Sequence, residues 1–179
     1  AAKLESHPSA NSGQVLAELA YHFLQAALGG GDVNKAIAYA TRAGERAMAA
    51  LAYEDAVLHY QRALQALEFG EADEFQRCEL LLSLGAARQK AGDITAARDT
   101  FQQAASLARA LGARQGVPRA TALLARAALG FGGEAWVEYG ATDEPLVALL
   151  EEALSVLTPD DSVPRARLLG RLAVELFHL

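Results

Sequence analysis

Two acid–histidine pairs have the residue types and spacing most suited to metal binding or acid–base catalysis in this chain. Glu18 precedes His22 by four positions, and Asp55 precedes His59 by four. On a helix this spacing puts both side chains on one face, where they would make half of a metal site or a general-base pair. The four histidines form no ligand-spaced cluster. We therefore expect ordinary surface pairing between successive helical turns.

The single cysteine and two glycine-rich stretches have similarly plain interpretations. Cys78 has no histidine near it on its helix and is expected to be a packed or half-exposed structural thiol. Residues 29–32, Gly-Gly-Gly-Asp, lack the Lys-Ser/Thr of a phosphate loop, so we expect them to link two helices. Residues 130–135 superficially resemble a dinucleotide fingerprint but follow a helix instead of a strand, which predicts a loop. The sequence thus predicts no catalytic residue, no metal site and no cofactor.

Composition and charge exclude several classes of partner. The chain has 179 residues, is 52% hydrophobic and carries a formal net charge of −6. A general phosphate-binding surface needs clustered Lys and Arg, so direct nucleic-acid binding is not expected. No apolar run approaches the ~20 residues of a membrane span, so no membrane association is expected. One cysteine allows no internal disulfide, which favours a cytoplasmic setting.

The charges are unevenly distributed along the chain. Four arginines between positions 109 and 126 are followed by eight acidic residues between 134 and 161. We expect solvated helix faces that attract one another between neighbouring repeats. The alternative is an acidic patch that meets a basic partner.

These residues must be positioned by helices, because apolar residues recur at helical spacing and runs rich in Val, Ile and Thr are missing. Glycines, prolines and capping aspartates separate the segments. We predict an all-α fold of about eight helices, with one domain at 13–179, a disordered tail at 1–12, and a parent protein longer than this fragment. The predicted helices span 13–28, 32–50, 53–68, 73–91, 94–111, 118–129 and 144–157, with an eighth starting near 163.

One spacing pattern occurs twice, and it indicates a helical repeat. Small and aromatic residues follow two glycines at identical offsets, with Gly44 leading to Ala56, Tyr60 and Ala63, and Gly85 leading to Ala97, Phe101 and Ala104. A chain that reuses one helix–turn–helix spacing stacks helix pairs, because each pair alone is too thin to bury its apolar stripe.

This pattern resembles the tetratricopeptide repeat. In that motif a small residue lies where two helices cross, here Gly44 and Gly85, and an aromatic follows in the second helix, here Tyr60 and Phe101. The resemblance implies an array of antiparallel helix pairs wound into a right-handed solenoid. The two glycines are 41 positions apart, longer than the repeat of about 34 residues, and residues 68–74 absorb the difference.

A narrower resemblance concerns residues 18–26, 35–64 and 144–157, which look like the helical tail of large bacterial signal-transduction ATPases and transcriptional regulators. Those proteins place a P-loop ATPase module ahead of a tetratricopeptide-like array. The resemblance implies a non-catalytic sensor or interaction arm that binds a protein, a peptide or a small effector. The alternative is a stand-alone adaptor that binds peptides or assembles as a homo-oligomer.

The irregular segment 130–142 contains the first candidate binding residues. Loops on rigid scaffolds carry specificity, and Trp and Tyr are common at interaction hot spots. We therefore expect Trp136 and Tyr139, with Phe131 beside them, to contact a partner. The alternative is that Trp136 and Phe131 fold back to cover the helical stack.

The concave face implied by the resemblance supplies the other candidates, Arg42, Met48 and Gln89. Some family members grip a C-terminal carboxylate with a clamp of Lys, Asn and Arg. At the corresponding positions here only Arg42 is basic and no Asn occurs, so recognition of a chaperone tail is not expected.

Overall fold

The computed structural model describes residues 13–71, 73–115, 118–133 and 142–177. Within these ranges the structure consists of eight α-helices and contains no strand. None of these helices has the length and apolar character needed to cross a membrane. In chain order they are α1 (Gly13–Leu28), α2 (Val33–Ala49), α3 (Tyr53–Leu67), α4 (Glu74–Lys90), α5 (Ile94–Gln115), α6 (Pro118–Gly132), α7 (Glu144–Val156) and α8 (Val163–Leu176).

Side-chain caps set where most of these helices begin. Five capping side chains each accept a hydrogen bond from the backbone amide three residues later, at 3.0–3.4 Å. Such a bond satisfies one of the amides that a helix leaves unpaired at its start, and it stabilises the fold by about 1 kcal/mol. The capping residues are Asp32, Asp73, Asp93, Asp143 and Ser162.

The α2–α3 and α4–α5 turns share one backbone feature at equivalent positions of the repeated pattern. Gly92 has a φ of 87°, and Leu51, which lies seven residues after Gly44 as Gly92 does after Gly85, has a φ of 61°. Glycine adopts this left-handed conformation without steric cost, whereas leucine does not. The second turn therefore carries the residue that suits this conformation, and the first carries a strained leucine.

Each helix packs against the next one along the chain, and further contacts join α1 with α3, α4 with α6, and α6 with α8. The fold is therefore all-α, with eight described helices packed consecutively in pairs, as a helical repeat array requires. The predicted fold class is confirmed at this level.

The buried side chains form two clusters that meet in α4. The first cluster joins α1, α2 and α3 to one face of α4, through Leu80, Leu84 and Ala87. The second joins α5, α6, α7 and α8 to the other face, through Cys78 and Leu82. The middle helix is thus apolar on two sides because it serves two cores.

Glycine–aromatic contacts fix how the helix pairs cross. A Cβ placed on Gly44 would lie 2.8 Å from Tyr60, and one placed on Gly85 would lie 2.9 Å from Phe101. The ring of Phe101 is also pressed against Gly130 of α6, where a Cβ would lie 2.5 Å from Cζ. Phe101 is therefore held between a glycine of α4 and a glycine of α6. Only residues without a side chain allow the ring to pack this closely on both helices.

Two helices extend further than the sequence predicts. In each of them, a glycine that was interpreted as a helix end lies inside the helix. The fifth helix was expected to close at Gly112 but continues to Gln115. The segment starting at Gly130 was expected to be a loop, yet Gly130 and Gly132 belong to α6. The space above Gly130 is filled by Phe101, so this glycine serves packing instead of chain reversal.

Candidate functional site

A groove opens where the α4–α5 turn meets the C-terminal end of α6. We call it the α4–α6 groove, and its volume is about 240 Å³. Among its lining side chains, Ile94 is 48% exposed and Phe131 is 8% exposed. It is lined by Gln89, Lys90, Ile94, Arg98, Phe131, Gly132 and Gly133.

Arg98 is held in one position on the wall of this groove. Its guanidinium lies 3.9 Å from the centroid of the Phe131 ring. The same group donates two hydrogen bonds to Asp143, at 2.6 and 3.1 Å. A guanidinium that is stacked on a ring and paired bidentately with a carboxylate has little freedom left, and the negative charge of Asp143 balances its positive charge.

Asp143 has two functions at this site. Both of its carboxylate oxygens accept hydrogen bonds from Arg98, and Oδ1 also accepts one from the amide of Leu146 at 3.1 Å, which caps α7. The hydrogen bond from Arg98 lowers the pKa of Asp143, the Leu146 amide and the charge of Arg171 act in the same direction, and burial opposes them. The carboxylate is therefore ionised at neutral pH and keeps Arg98 in place.

The end of α6 is fixed by a second arginine. Arg171 of α8 donates a hydrogen bond to the carbonyl of Gly133 at 2.8 Å and pairs with Glu175, which is 3% exposed. On the opposite wall, Gln89 donates to the carbonyl of Gly130 at 3.4 Å. The chain is thus anchored on both sides of the segment 134–141, at Gly133 by Arg171 and at Asp143 by Arg98.

The structure brings together two of the six predicted partner-binding residues. Gln89 and Phe131 line the α4–α6 groove together. Arg42 and Met48 lie on α2. The guanidinium of Arg42 is 5.7 Å from the ring centroid of Tyr39, and Met48 packs against the first cluster. Trp136 and Tyr139 lie outside the described residues, so their role stays a prediction.

Sequence reasoning missed Arg98 and Asp143 as a pair. They are 45 positions apart, and no local spacing links an arginine on one helix to an aspartate that precedes another. The sequence Asp143-Glu144-Pro145 does carry a helix-start signal, since proline suits the first turn. That signal identifies a cap but says nothing about its arginine partner.

The prediction of a surface pair at Asp55 and His59 is wrong. His59 is 7% exposed, and its Nδ1 is buried without a hydrogen-bond partner among the described residues. Burial lowers the pKa of His59, the charge of Arg62 lowers it further, and the charge of Asp55 opposes both. The imidazole lines a cavity together with Ala17 of α1 and Ala43 and Ala47 of α2. His22, by contrast, is exposed as expected.

The other candidates for chemistry have structural roles. Cys78 is fully buried, its thiol donates to the carbonyl of Ala104 at 3.4 Å, and burial raises its pKa to about 11. The link at residues 29–32 ends α1, and Asp32 caps α2, as predicted. Across the parts of the chain that the structure describes, no three His, Cys, Asp or Glu residues lie close enough to hold a metal ion.

The expected attraction between neighbouring charged faces is confirmed where the arginine-rich stretch meets the acid-rich one. Arg109 of α5 makes two hydrogen bonds to Glu152 of α7, at 2.5 and 2.7 Å. That hydrogen bonding raises the pKa of Arg109, and burial opposes it. The arginine-rich and acid-rich stretches thus meet across α5 and α7.

Comparison with known proteins adds no further assignment. The chain matches no protein-family model, and a search of curated proteins found no match.

Proposed function

We propose that this chain is a non-catalytic interaction scaffold of the tetratricopeptide type, built as a right-handed solenoid, in which the α4–α6 groove takes a segment of a partner protein. The observation that carries the proposal is the repeated glycine–aromatic contact. Gly44 meets Tyr60 and Gly85 meets Phe101, each sixteen residues apart. The same spacing with the same packing supports one repeated unit, and proteins built from such units present extended binding surfaces.

The chemistry of the groove favours an acidic peptide segment that carries an apolar side chain. Lys90 and Arg98 line it, none of the described lining residues is acidic, and Asp143, outside the lining, is paired with Arg98. Ile94 offers apolar surface beside these cations, whereas Phe131 is buried in the second cluster. A carboxylate or carbonyl of the segment would accept from the Lys90 ammonium next to the Arg98–Asp143 pair, while an apolar side chain would cover Ile94.

The regulatory part of the proposal comes from the sequence resemblance to bacterial signal-transduction ATPases and transcriptional regulators. In such a protein the groove would act as the sensor arm, whose occupancy biases an attached module. This part predicts a P-loop module in the parent gene upstream of residue 1. A parent gene without that module would overturn the regulatory role and leave the scaffold role standing.

Selection from a displayed peptide library, with this chain as the immobilised target, tests the groove. Ile94→Glu removes the apolar contact and places a carboxylate that repels an acidic segment, and the matched control Leu58→Glu changes a similarly exposed residue on α3. We expect acidic, apolar-containing peptides whose affinity falls at least about tenfold in Ile94→Glu and is unchanged in the control. Enriched peptides that bind both variants equally would show that the groove is not the site.

A further inference from the structure

A cavity opens between α1 and the α2–α3 turn. We call it the α1–α3 cavity, and its volume is about 410 Å³. Pockets that hold small molecules begin at about 300 Å³, so this space is large enough for a small ligand. Five of its lining residues are alanines, and the other three are Arg46, Asp55 and His59.

One wall of the cavity carries a buried hydrogen-bonding group that is unpaired. His59 is 7% exposed, and its Nδ1 has no hydrogen-bond partner in the described part of the chain. Such an atom is destabilising, and native structures seldom keep one without a reason. Burial and the charge of Arg62 lower the pKa of His59 against the opposing charge of Asp55, so the imidazole is uncharged at neutral pH and can accept a hydrogen bond. The torsion about its Cβ–Cγ bond is broad and roughly two-fold, so a turn of the ring can present the covered Nδ1 to a bound donor.

The second repeat shows which group fills the equivalent space. Counting 41 positions on from the first repeat, Arg88 corresponds to Ala47 and Thr100 corresponds to His59. The guanidinium of Arg88 donates to Oγ1 of Thr100 at 2.6 Å and to the carbonyl of Ala96 at 3.3 Å. Ala47 has no side chain that could do this. The first repeat therefore keeps a cavity at this place, and His59 lacks the donor that Thr100 has.

Two more exchanges between the repeats add one charge of each sign to the cavity. Asp55 stands where the second repeat has Ala96, and Arg46 stands where it has Ala87. Neither charged residue takes part in an ion pair within the described ranges. The cavity thus offers a carboxylate, a guanidinium and an uncharged acceptor among alanines, and this set is complementary to a small molecule that carries both charges.

We propose that the α1–α3 cavity binds a small arginine-like zwitterion, whose guanidinium takes the place that the guanidinium of Arg88 has in the second repeat. The bound guanidinium donates to His59 and pairs with Asp55, while the carboxylate of the ligand pairs with Arg46. Its methylene chain lies against the alanines. The cavity shares no lining residue with the α4–α6 groove, so this site goes beyond the proposed function and does not depend on it.

Calorimetric titration with free L-arginine tests the site. We expect one molecule bound per chain with a Kd on the order of 0.1–1 mM, as suits a ligand of this size. L-Citrulline, in which an uncharged urea replaces the guanidinium, should bind at least about tenfold more weakly. So should L-argininamide, which lacks the free carboxylate, as an arginine within a peptide does.

Each comparison has an outcome that contradicts the proposal. L-Citrulline that binds as tightly as L-arginine would overturn the assignment of the guanidinium. Equally tight binding of L-argininamide would overturn the pairing with Arg46 and the choice of a free amino acid. A chain that binds no L-arginine at ~10 mM, well above the expected Kd, would overturn the site as a whole.

Two variants with a matched control locate the bound molecule. Ala47→Arg supplies the guanidinium from the chain itself, as Arg88 does in the second repeat, and should abolish L-arginine binding at an unchanged melting temperature. Asp55→Asn removes the carboxylate and should weaken binding at least about tenfold. Glu54→Gln makes the same charge change at the neighbouring residue, which does not line the cavity, and should bind like the wild type. Binding that survives Ala47→Arg, or that falls equally in Asp55→Asn and Glu54→Gln, would overturn the proposal.

Nitrogen NMR of the histidine-labelled chain gives a readout that a merely structural effect would not produce. Saturating L-arginine should shift a ring-nitrogen resonance of His59, because its Nδ1 gains a hydrogen bond, and should leave that of the exposed His22 in place. A His59 resonance that does not move while L-arginine binds would overturn the role of the imidazole.

Discussion

The ring of Phe101 provides a direct test of how the helix pairs are held together. Alanine at Gly85 would put a Cβ 2.9 Å from Cε1 of the ring, and alanine at Gly130 would put one 2.5 Å from Cζ. Carbon atoms pack best at ~3.5–4.0 Å, so the first contact is too short by roughly 0.6 Å and the second by roughly 1 Å. Phe101 is 3% exposed and has little room to move.

Two opposing effects determine the magnitude. Replacing a helical glycine with alanine stabilises a protein by about 0.5–1 kcal/mol through helix propensity. Overpacking a core costs about 1–3 kcal/mol. We therefore expect Gly130→Ala to lower the unfolding free energy by about 1–2 kcal/mol and Gly85→Ala by about 0–1 kcal/mol. Gly112→Ala is the matched control, since its Cβ would meet Ala120 at an ordinary 3.8 Å, and it should be stabilising by about 0.5–1 kcal/mol.

Urea unfolding and melting temperatures of the three variants measure this order. At ~2–4 °C per kcal/mol for a chain of this length, Gly130→Ala and Gly112→Ala should differ by about 3–12 °C. In a Phe101→Leu background the cost of Gly130→Ala should shrink by about 1 kcal/mol or more, because the ring that causes the overlap is gone. If Gly130→Ala were as stable as Gly112→Ala, or if its cost survived in Phe101→Leu, the packing argument would be refuted.

Three further predictions concern buried or paired groups. Burial and Arg62 hold the pKa of His59 below 6.5 against the opposing charge of Asp55, so the folded state disfavours its protonation. The unfolding free energy should therefore be highest above pH 6.5 and fall below that pH. His59→Leu should flatten this part of the pH profile, measured by urea titration. The thiol of Cys78, with its pKa raised to about 11, should be alkylated at about pH 8 only as fast as the chain unfolds, and rapid modification of the native protein would contradict its burial. Asp143→Ala removes both an N-cap and an arginine partner, so it should lower the unfolding free energy by about 1–2 kcal/mol. Asp143→Asn retains the cap and should lower it by less. Equal losses of stability in thermal melts would argue against the capping role.

The helical layout was predictable because it rests on local signals. The first helix occupies residues 13–28 as predicted, and the third ends within one residue of its prediction. Apolar spacing and capping aspartates act within a few residues of each other, so one stretch of chain contains all the information. The repeated spacing also predicted a small residue at each helix crossing, and Gly44 and Gly85 do lie against aromatic rings.

What the sequence could not reveal depends on contacts between distant residues. The residues around Gly130 have the composition of a loop. In the structure, however, Gly130 is part of a helix and packs against the ring of Phe101. His59 fits a surface pair with Asp55 by spacing alone, yet the imidazole is buried. The orientation of Arg98 likewise needs an aspartate 45 positions away. A local pattern gives the face of a helix only approximately, and it does not say what covers that face.

The division of the interior into two clusters bears on how the chain acquires its structure during synthesis. All the members of the first cluster come from α1 to α4, so that cluster can close once those helices have left the ribosome. The second cluster includes Leu168 of α8, so it must wait until nearly the whole described chain has been made. Domains generally fold from the N-terminal end as they emerge. In the interval, Cys78 and Leu82 on the far face of α4 have no covering helices, and this is the surface that a nascent-chain chaperone would need to shield.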